Sequence, residues 1–79
     1  MFKPNLKMRV RVRLDTQTQV MDFVKIANSI KASVFLSSND LCVSGKSLLG
    51  ALYTMEWEEF WCECEEDIYN QIERFTIID

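Results

Sequence analysis

The sequence predicts an α+β fold in which three helices cover one face of a four-stranded antiparallel sheet. Polar and apolar residues alternate without a break over residues 6–14, which is the period of a strand with one buried face. Apolar residues then recur at helical spacing over residues 18–30 and predict the first helix. Two short strand-like segments, residues 33–37 and 41–43, flank the turn residues 38–40 and therefore predict a hairpin.

Each remaining element follows from a local pattern. Asp15 and Thr16 are suitable caps for the first helix. A short second helix is predicted over residues 46–54, and a last alternating strand over residues 59–65. The chain then closes with a helix over residues 66–75, whose first turn is rich in acidic residues that the helix dipole favours. The apolar stripe of this last helix consists of Ile68, Ile72 and Phe75. The predicted order is β-α-β-β-α-β-α.

The composition and the charge of the chain are typical of a folded domain without a membrane-spanning segment. With 79 residues, of which 48% are hydrophobic and 27% charged, the chain has the size and balance of one folded domain, and we expect this domain to span residues 1–79. The start of the chain has no apolar run of signal-peptide length, and no segment is apolar enough for a membrane span. The three cysteines do not have the number or spacing of a disulfide framework. We therefore expect a cytoplasmic protein with no membrane partner.

Two short segments carry a family resemblance. The segment KSLLG at residues 46–50, at the start of the second predicted helix, resembles the HPr family, the histidine-containing phosphocarrier proteins of the bacterial sugar phosphotransferase system. The segment DFVKIA at residues 22–27 is similar to the first helix of that family. The resemblance extends over almost the whole chain in element order. It implies the family's HPr-like open-faced β-sandwich, with sheet order 1-4-2-3 and the helices on one side.

The chain departs from the family at the residues that carry its chemistry. The family reaction needs one phosphoryl-accepting histidine at the start of the first helix, and this chain contains no histidine. Counting back from Phe23, Thr16 stands at the histidine position and Thr18 at the position of the family's arginine, whereas a shift of one residue would put Gln17 at the histidine position. Neither residue can form a phosphoimidazole, and without the arginine a phosphate partner is missing. The resemblance therefore implies a variant that does not relay phosphate through histidine.

The resemblance implies that a regulatory site remains. Ser47 matches the serine that a dedicated kinase phosphorylates in many relatives, and a phosphate at a helix start meets free backbone amides. We expect Lys46, Leu49 and Leu52 to belong to the partner-binding patch beside this serine. A variant that keeps the serine and loses the histidine resembles the catabolite-repression HPr-like proteins, which are regulatory, so its partners would be a regulator, a kinase or a phosphotransferase enzyme. Alternatively, Ser47 is an ordinary helix cap, and the two leucines are core or half-exposed residues.

The first predicted strand carries a basic stripe on one side, formed by Lys7, Arg9, Arg11 and Arg13. A stripe of this kind can bind a phosphate backbone. The last predicted strand, however, carries Glu59, Glu63 and Glu65 on a single face. If the two strands are neighbours, each cross-strand ion pair stabilises the sheet by about 0.2–1 kcal/mol, and the glutamates neutralise the charge of the basic stripe. We therefore expect structural ion pairs and no nucleic-acid partner.

The same sheet face is predicted to carry aromatic residues. Alternation turns Trp61 away from the core if Phe60, Cys62 and Cys64 point inward. It turns Phe35 and Cys42 away from the core if the neighbouring residues Val34, Leu36, Leu41 and Val43 are buried. An exposed apolar patch usually indicates a partner, and the sequence therefore predicts an alternative function as a structural module that forms a homodimer through this face. The other interpretation is that the aromatic rings only cover the sheet and pack with arginine stems.

No pattern in the chain indicates catalysis, a metal or a cofactor. Cys62 and Cys64 fall on one side of the last strand and are expected to be buried, since neither histidine nor further thiols are available to complete a zinc site. The acidic run from Glu56 to Asp67 lacks the glycine-centred spacing of a calcium loop. There is no Walker loop, no dinucleotide fingerprint and no nucleophile beside a base.

Overall fold

A computed structural model describes residues 6–77 of the chain as one sheet with helices packed on it. The elements in chain order are β1 Met8–Val12, α1 Gln17–Asn28, β2 Val34–Ser37, β3 Cys42–Ser44, α2 Leu48–Tyr53, β4 Phe60–Cys64 and α3 Tyr69–Ile72. A 3-10 turn extends α2 over Thr54–Glu56, and another extends α3 over Glu73–Phe75. The domain predicted over residues 1–79 and the expectation about the start of the chain also involve residues 1–5 and 78–79, which lie outside the described residues.

The sheet of the described chain has four strands in the order β1-β4-β2-β3, and every neighbouring pair is antiparallel. The predicted α+β class, the four-stranded antiparallel sheet and the three α-helices are confirmed within residues 6–77. The strand order is also the one that the resemblance implied. In the described part of the chain, no helix combines the length and the apolar character needed to cross a membrane.

The strand register sorts the side chains onto two faces. On the covered face, Met8 lies opposite Cys64, Val10 opposite Cys62 and Val12 opposite Phe60. We call the other side the open face, and its residues are Arg9, Arg11, Phe35, Ser37, Cys42, Ser44, Trp61 and Glu63. The predicted placement on one side of the sheet is confirmed for Arg9, Arg11, Phe35, Trp61 and Glu63. The other charged residues of the prediction lie outside the ends of β1 and β4, namely Lys7, Arg13, Glu59 and Glu65.

The helices close the core over the covered face. Val20, Phe23 and Ala27 of α1 are completely buried, as the helical spacing predicts. The stripe predicted for the last helix is also buried, and the rings of Phe23 and Phe75 meet edge to face with centroids 5.5 Å apart. From α2, only Ala51 is fully enclosed. The short second helix therefore contributes one small side chain to the core and leaves its larger side chains elsewhere.

Several predicted boundaries differ from the structure. The first helix begins at Gln17, because Thr16 is its N-cap in a capping box with Gln19, and it ends at Asn28 rather than residue 30. Leu41, predicted to be buried in β3, is 55% exposed. Its carbonyl accepts a hydrogen bond from Ser38 N (2.8 Å) in the hairpin turn, so the strand begins only at Cys42.

The last helix is shorter than predicted and has no acidic first turn. Glu66 and Asp67 precede the helix, and the Asp67 carboxylate accepts a hydrogen bond from Tyr69 N at 3.0 Å. An aspartate that bonds to the backbone two residues further on favours a turn over a helix, which explains the late start.

The end of the described chain returns to β1, which the sequence pattern did not predict. Thr76 forms an isolated antiparallel bridge with Val12. Ile77 N donates to Arg11 O at 3.0 Å, and Arg13 N donates to Phe75 O at 2.8 Å. These bonds hold residues 75–77 along the side of β1 that does not pair with β4.

Candidate functional site on the second helix

The loop before α2 is fixed to the end of α1 by side-chain hydrogen bonds. Asn28 Nδ2 donates to Lys46 O at 3.0 Å and to Val24 O at 2.9 Å. The Lys46 ammonium donates to Ile30 O, and Lys46 N donates to Ser44 Oγ at 3.1 Å. The start of α2 is therefore held against the C-terminal end of α1.

Glycines allow this part of the chain to pack closely. A Cβ atom on Gly45 would lie 2.9 Å from Val34 Cγ1 and 3.2 Å from the Phe23 ring, so a larger residue would displace core side chains. A Cβ atom on Gly50 would lie 3.2 Å from Val43 Cβ, because α2 crosses close to β3 at this residue. The two glycines of the sequence thus place α2 directly against the sheet.

Ser47 is the N-cap of α2. Its Oγ atom accepts a hydrogen bond from Gly50 N at 3.1 Å, and its carbonyl accepts one from Ala51 N at 2.8 Å. The residue is exposed, so the hydroxyl caps the helix at the protein surface. The alternative prediction that Ser47 is a helix cap is therefore confirmed.

The outer side of α2 is apolar. Six large hydrophobic side chains are exposed in the described part of the chain, and four of them belong to α2 and its extension: Leu48 (45%), Leu49 (71%), Tyr53 (60%) and Met55 (42%). Leu52 is half-buried between this side and the core. We call these five residues the α2 surface. Their concentration on one helix distinguishes them from the single exposed apolar residues that any protein carries.

A groove of about 400 Å³ lies on the α2 surface and is lined by Leu49, Leu52, Tyr53 and Glu56. Two of the three predicted partner-binding residues, Leu49 and Leu52, therefore line one groove. The third, Lys46, precedes Ser47, and its ammonium is directed to Ile30 O instead of the groove. The predictions missed Leu48, Tyr53, Met55 and Glu56. The signal was present, because LLGALYTM has more apolar residues than one face of so short a helix can bury.

The residues that the resemblance aligns with the histidine and arginine of the HPr family lie far from Ser47. Thr16 Oγ1 accepts a hydrogen bond from Gln19 N at 3.1 Å, so this hydroxyl serves as a helix cap. Gln17 and Thr18 are exposed in the first turn of α1. Since Ser47 lies at the Asn28 end of the same helix, about 18 Å separates the two places along the helix axis. The structure does not bring these two groups of predicted residues together.

The open face is held together by charges and aromatic rings. Arg9 Nε lies 2.9 Å from Glu63 Oε2, and the Glu63 residue is only 3% exposed. The Arg9 guanidinium also lies over the Trp61 ring, 4.4 Å from its centroid. Arg11 pairs with Glu59 at 3.1 Å. The predicted cross-strand ion pairs are therefore present for these two arginines, and Trp61 and Phe35 are half-buried.

The thiols divide between the two sides of the sheet. Cys62 and Cys64 are buried as predicted, whereas Cys42 is exposed. Burial raises the pKa of the Cys62 thiol to about 12, and the neighbouring Cys64 and Glu63 raise it in the same direction. Among residues 6–77, no group of three histidine, cysteine or acidic side chains is arranged to hold a metal ion.

No family model, curated protein or solved structure matches this chain.

Proposed function

We propose that this chain is an HPr-like partner-binding module that has no phosphohistidine relay, binds proteins through the α2 surface and is switched by phosphorylation at Ser47. The partners belong to the class of a regulator, a kinase or a phosphotransferase enzyme. The observation that carries the proposal is the exposed apolar α2 surface directly after an exposed N-cap serine. The strand order and the position of KSLLG at a helix start support the resemblance on which the choice of partner rests.

The absence of a relay follows from chemistry. A transferable phosphoryl group of the family type needs an imidazole nitrogen, and the sequence has none. Thr16, at one of the two alternative histidine positions, uses its hydroxyl oxygen as a helix cap. The module therefore acts through binding and not through phosphoryl transfer.

The switch follows from the position of Ser47. A phosphate on its oxygen would bring a charge of about −2 to the first turn of α2, where backbone N–H groups are available to a negative group. The exposed Leu48 and Leu49 are the next two residues, so the same charge would stand at the margin of the α2 surface. Phosphorylation would thus change which partner this surface accepts.

Phosphorylation assays test both parts of the proposal. The chain is incubated with phosphoenolpyruvate and the general phosphotransferase enzyme, and with the serine kinase of an HPr system. We expect no acid-labile phosphate in the first reaction, and acid-stable phosphate that is lost in Ser47→Ala in the second. Acid-labile phosphate on this chain would refute the absence of a relay. An unmodified Ser47 under conditions that modify a true HPr would refute the switch.

A second candidate function is a structural module that forms a dimer through the open face. It is favoured by Phe35 and Trp61, which remain partly exposed beside the exposed Cys42. The double variant Phe35→Ser with Trp61→Ser should then be a folded monomer, whereas the wild-type chain should be a dimer in light scattering. A wild-type chain that is already monomeric contradicts this candidate.

A further inference from the structure

The α2 surface has an acidic end. Glu56 lines the groove with the apolar residues, and Glu58 lines a second cleft with Met55, Arg13 and Asp15. Both glutamates are exposed, and neither has an ion-pair partner among the described residues. A carboxylate that lines an apolar groove, with a second one two residues further along the chain, attracts a ligand of positive charge.

The basic side chains around α2 either have another bonding partner or lie near the Ser47 end of the helix. Arg13 lies 3.6 Å from Asp15, and Arg11 lies 3.1 Å from Glu59. The Lys46 ammonium is bonded to Ile30 O. The exposed Lys25 lies one turn before Asn28 on α1, and Asn28 contacts the Ser47 end of α2. Arg13 lines the same cleft as Glu58, whereas Glu56 has none of these cations as an ion-pair partner.

The shape and chemistry of the groove favour a helix as the occupant. The groove-lining residues Leu49, Leu52 and Tyr53 belong to a helix and not to a sheet edge, so an extended peptide would find no strand to pair with there. Leu49, Leu52 and Tyr53 offer only side-chain packing, and the ridge of a second helix fills a groove along a helix by inserting residues at helical spacing.

We infer that the α2 surface binds a basic amphipathic helix of a partner protein, with apolar residues in the groove and lysines or arginines beside Glu56 and Glu58. This inference rests on the proposed partner-binding function and adds the chemical class of the partner. It assigns to Glu56 and Glu58 the role of selecting partners by charge.

Two model peptides test the inference by titration into the ¹⁵N-labelled chain. Both are amphipathic helices of about four turns (~14 residues) with the same leucine face, and their polar faces carry lysines in one and glutamates in the other. We expect the lysine peptide to bind at least about fivefold more tightly at low salt, with amide shifts centred on Leu49, Leu52 and Tyr53. This preference should shrink at about 0.5 M salt, where charges are screened.

Matched variants separate a local effect from the net charge of −3. Glu56→Gln with Glu58→Gln should remove most of the preference for the lysine peptide. Glu65→Gln with Glu66→Gln changes the net charge equally on residues that line a different cleft, beside Lys7 and Lys31, and should retain the preference. An equal loss in both double variants would overturn the inference.

Three further outcomes would overturn it. Equal binding of both peptides at the α2 surface would remove the charge selection but leave the proposed docking surface in place. Peptide shifts confined to the open face, unchanged in Leu49→Ser with Tyr53→Ser, would remove the docking surface as well. Self-association that depends on Leu49 in a dilution series would make a second copy of the chain the occupant.

Discussion

The open face of the sheet and the α2 surface both carry large apolar side chains outside the core, but these side chains are exposed to solvent to different extents. On the open face, Arg9 stacks over Trp61 and pairs with a nearly buried Glu63, and the aromatic rings are left half-buried. On the α2 surface, Leu49 is 71% exposed and Tyr53 60% exposed. Polar side chains of the same chain can therefore cover apolar side chains that lie outside the core. A surface without such neighbours is the better candidate for a partner.

The largest effect on stability is expected when the side chain that covers Trp61 on the open face is removed. Arg9→Ala removes the guanidinium that pairs with Glu63 and covers Trp61, so we expect the free energy of unfolding to fall by about 2 kcal/mol. Urea denaturation measures this loss. Arg13→Ala is the control, because its pair with Asp15 is exposed and 3.6 Å long, and it should cost less than about 0.5 kcal/mol. Equal losses in the two variants would show that the Arg9 contacts do not organise this face.

A second prediction contrasts the thiols on the two sides of the sheet. Below pH 9 the Cys62 thiol is protonated in both states, but its pKa is about 12 in the folded chain and 9.0 in the unfolded one. Above pH 9 the unfolded chain releases this proton while the folded chain keeps it, so stability should fall by about 1 kcal/mol between pH 9 and pH 10.

Urea denaturation at each pH measures this slope. Cys62→Ala should remove that component of the slope, and the control Cys42→Ser should retain it because Cys42 is exposed. A slope that is the same in all three proteins would contradict the prediction.

A smaller effect is expected at the start of α2. Ser47→Ala removes the oxygen that accepts from Gly50 N and should lower the free energy of unfolding by about 0.5–1 kcal/mol. Ser47→Asp is the matched control, since aspartate is also a good N-cap and should retain most of the stability. Thermal unfolding followed by circular dichroism compares the three proteins. The capping role would be wrong if aspartate and alanine were equally destabilising.

The smallest effect on stability is expected on the α2 surface. Leu49→Ser with Tyr53→Ser changes two exposed residues, so the free energy of unfolding should stay within about 0.5 kcal/mol of wild type. Trp61→Ser should cost clearly more, because it removes the ring under Arg9. Urea denaturation curves of the two variants compare their free energies of unfolding. A strongly destabilised α2 double variant would mean that this surface contributes to folding and is not reserved for a partner.

The sequence predicted which side chains share a face of the sheet, because alternation along a strand is a local property. It could not predict how exposed Trp61 is, since this depends on Arg9, which lies on the neighbouring strand and far away in the chain. For the same reason, the pairing of Arg9 with Glu63 was predicted as a cross-strand pair but not as a nearly buried one.

Element ends and the candidate site were predicted less well. The position of Leu41 is decided by a hydrogen bond across the hairpin turn, and the start of α3 by the Asp67 side chain. Leu49, Leu52 and Ser47 were selected through a resemblance, whereas Tyr53, Met55 and Glu56 were identified from exposure and the groove. The excess of apolar residues in LLGALYTM indicated that some side chains stay exposed, but not which ones. Exposure of a short helix depends on how it packs, which its own sequence does not determine.

The return of Thr76 and Ile77 to β1 also limits how this protein can polymerise. A sheet with two unpaired outer strands can add copies at both ends and grow into a fibre. Within residues 6–77, the outer side of β1 is already bonded to the chain itself, and β3 offers only its three residues, Cys42–Ser44. Strand addition by another copy is therefore blocked at the outer side of β1 and can use a short edge at β3.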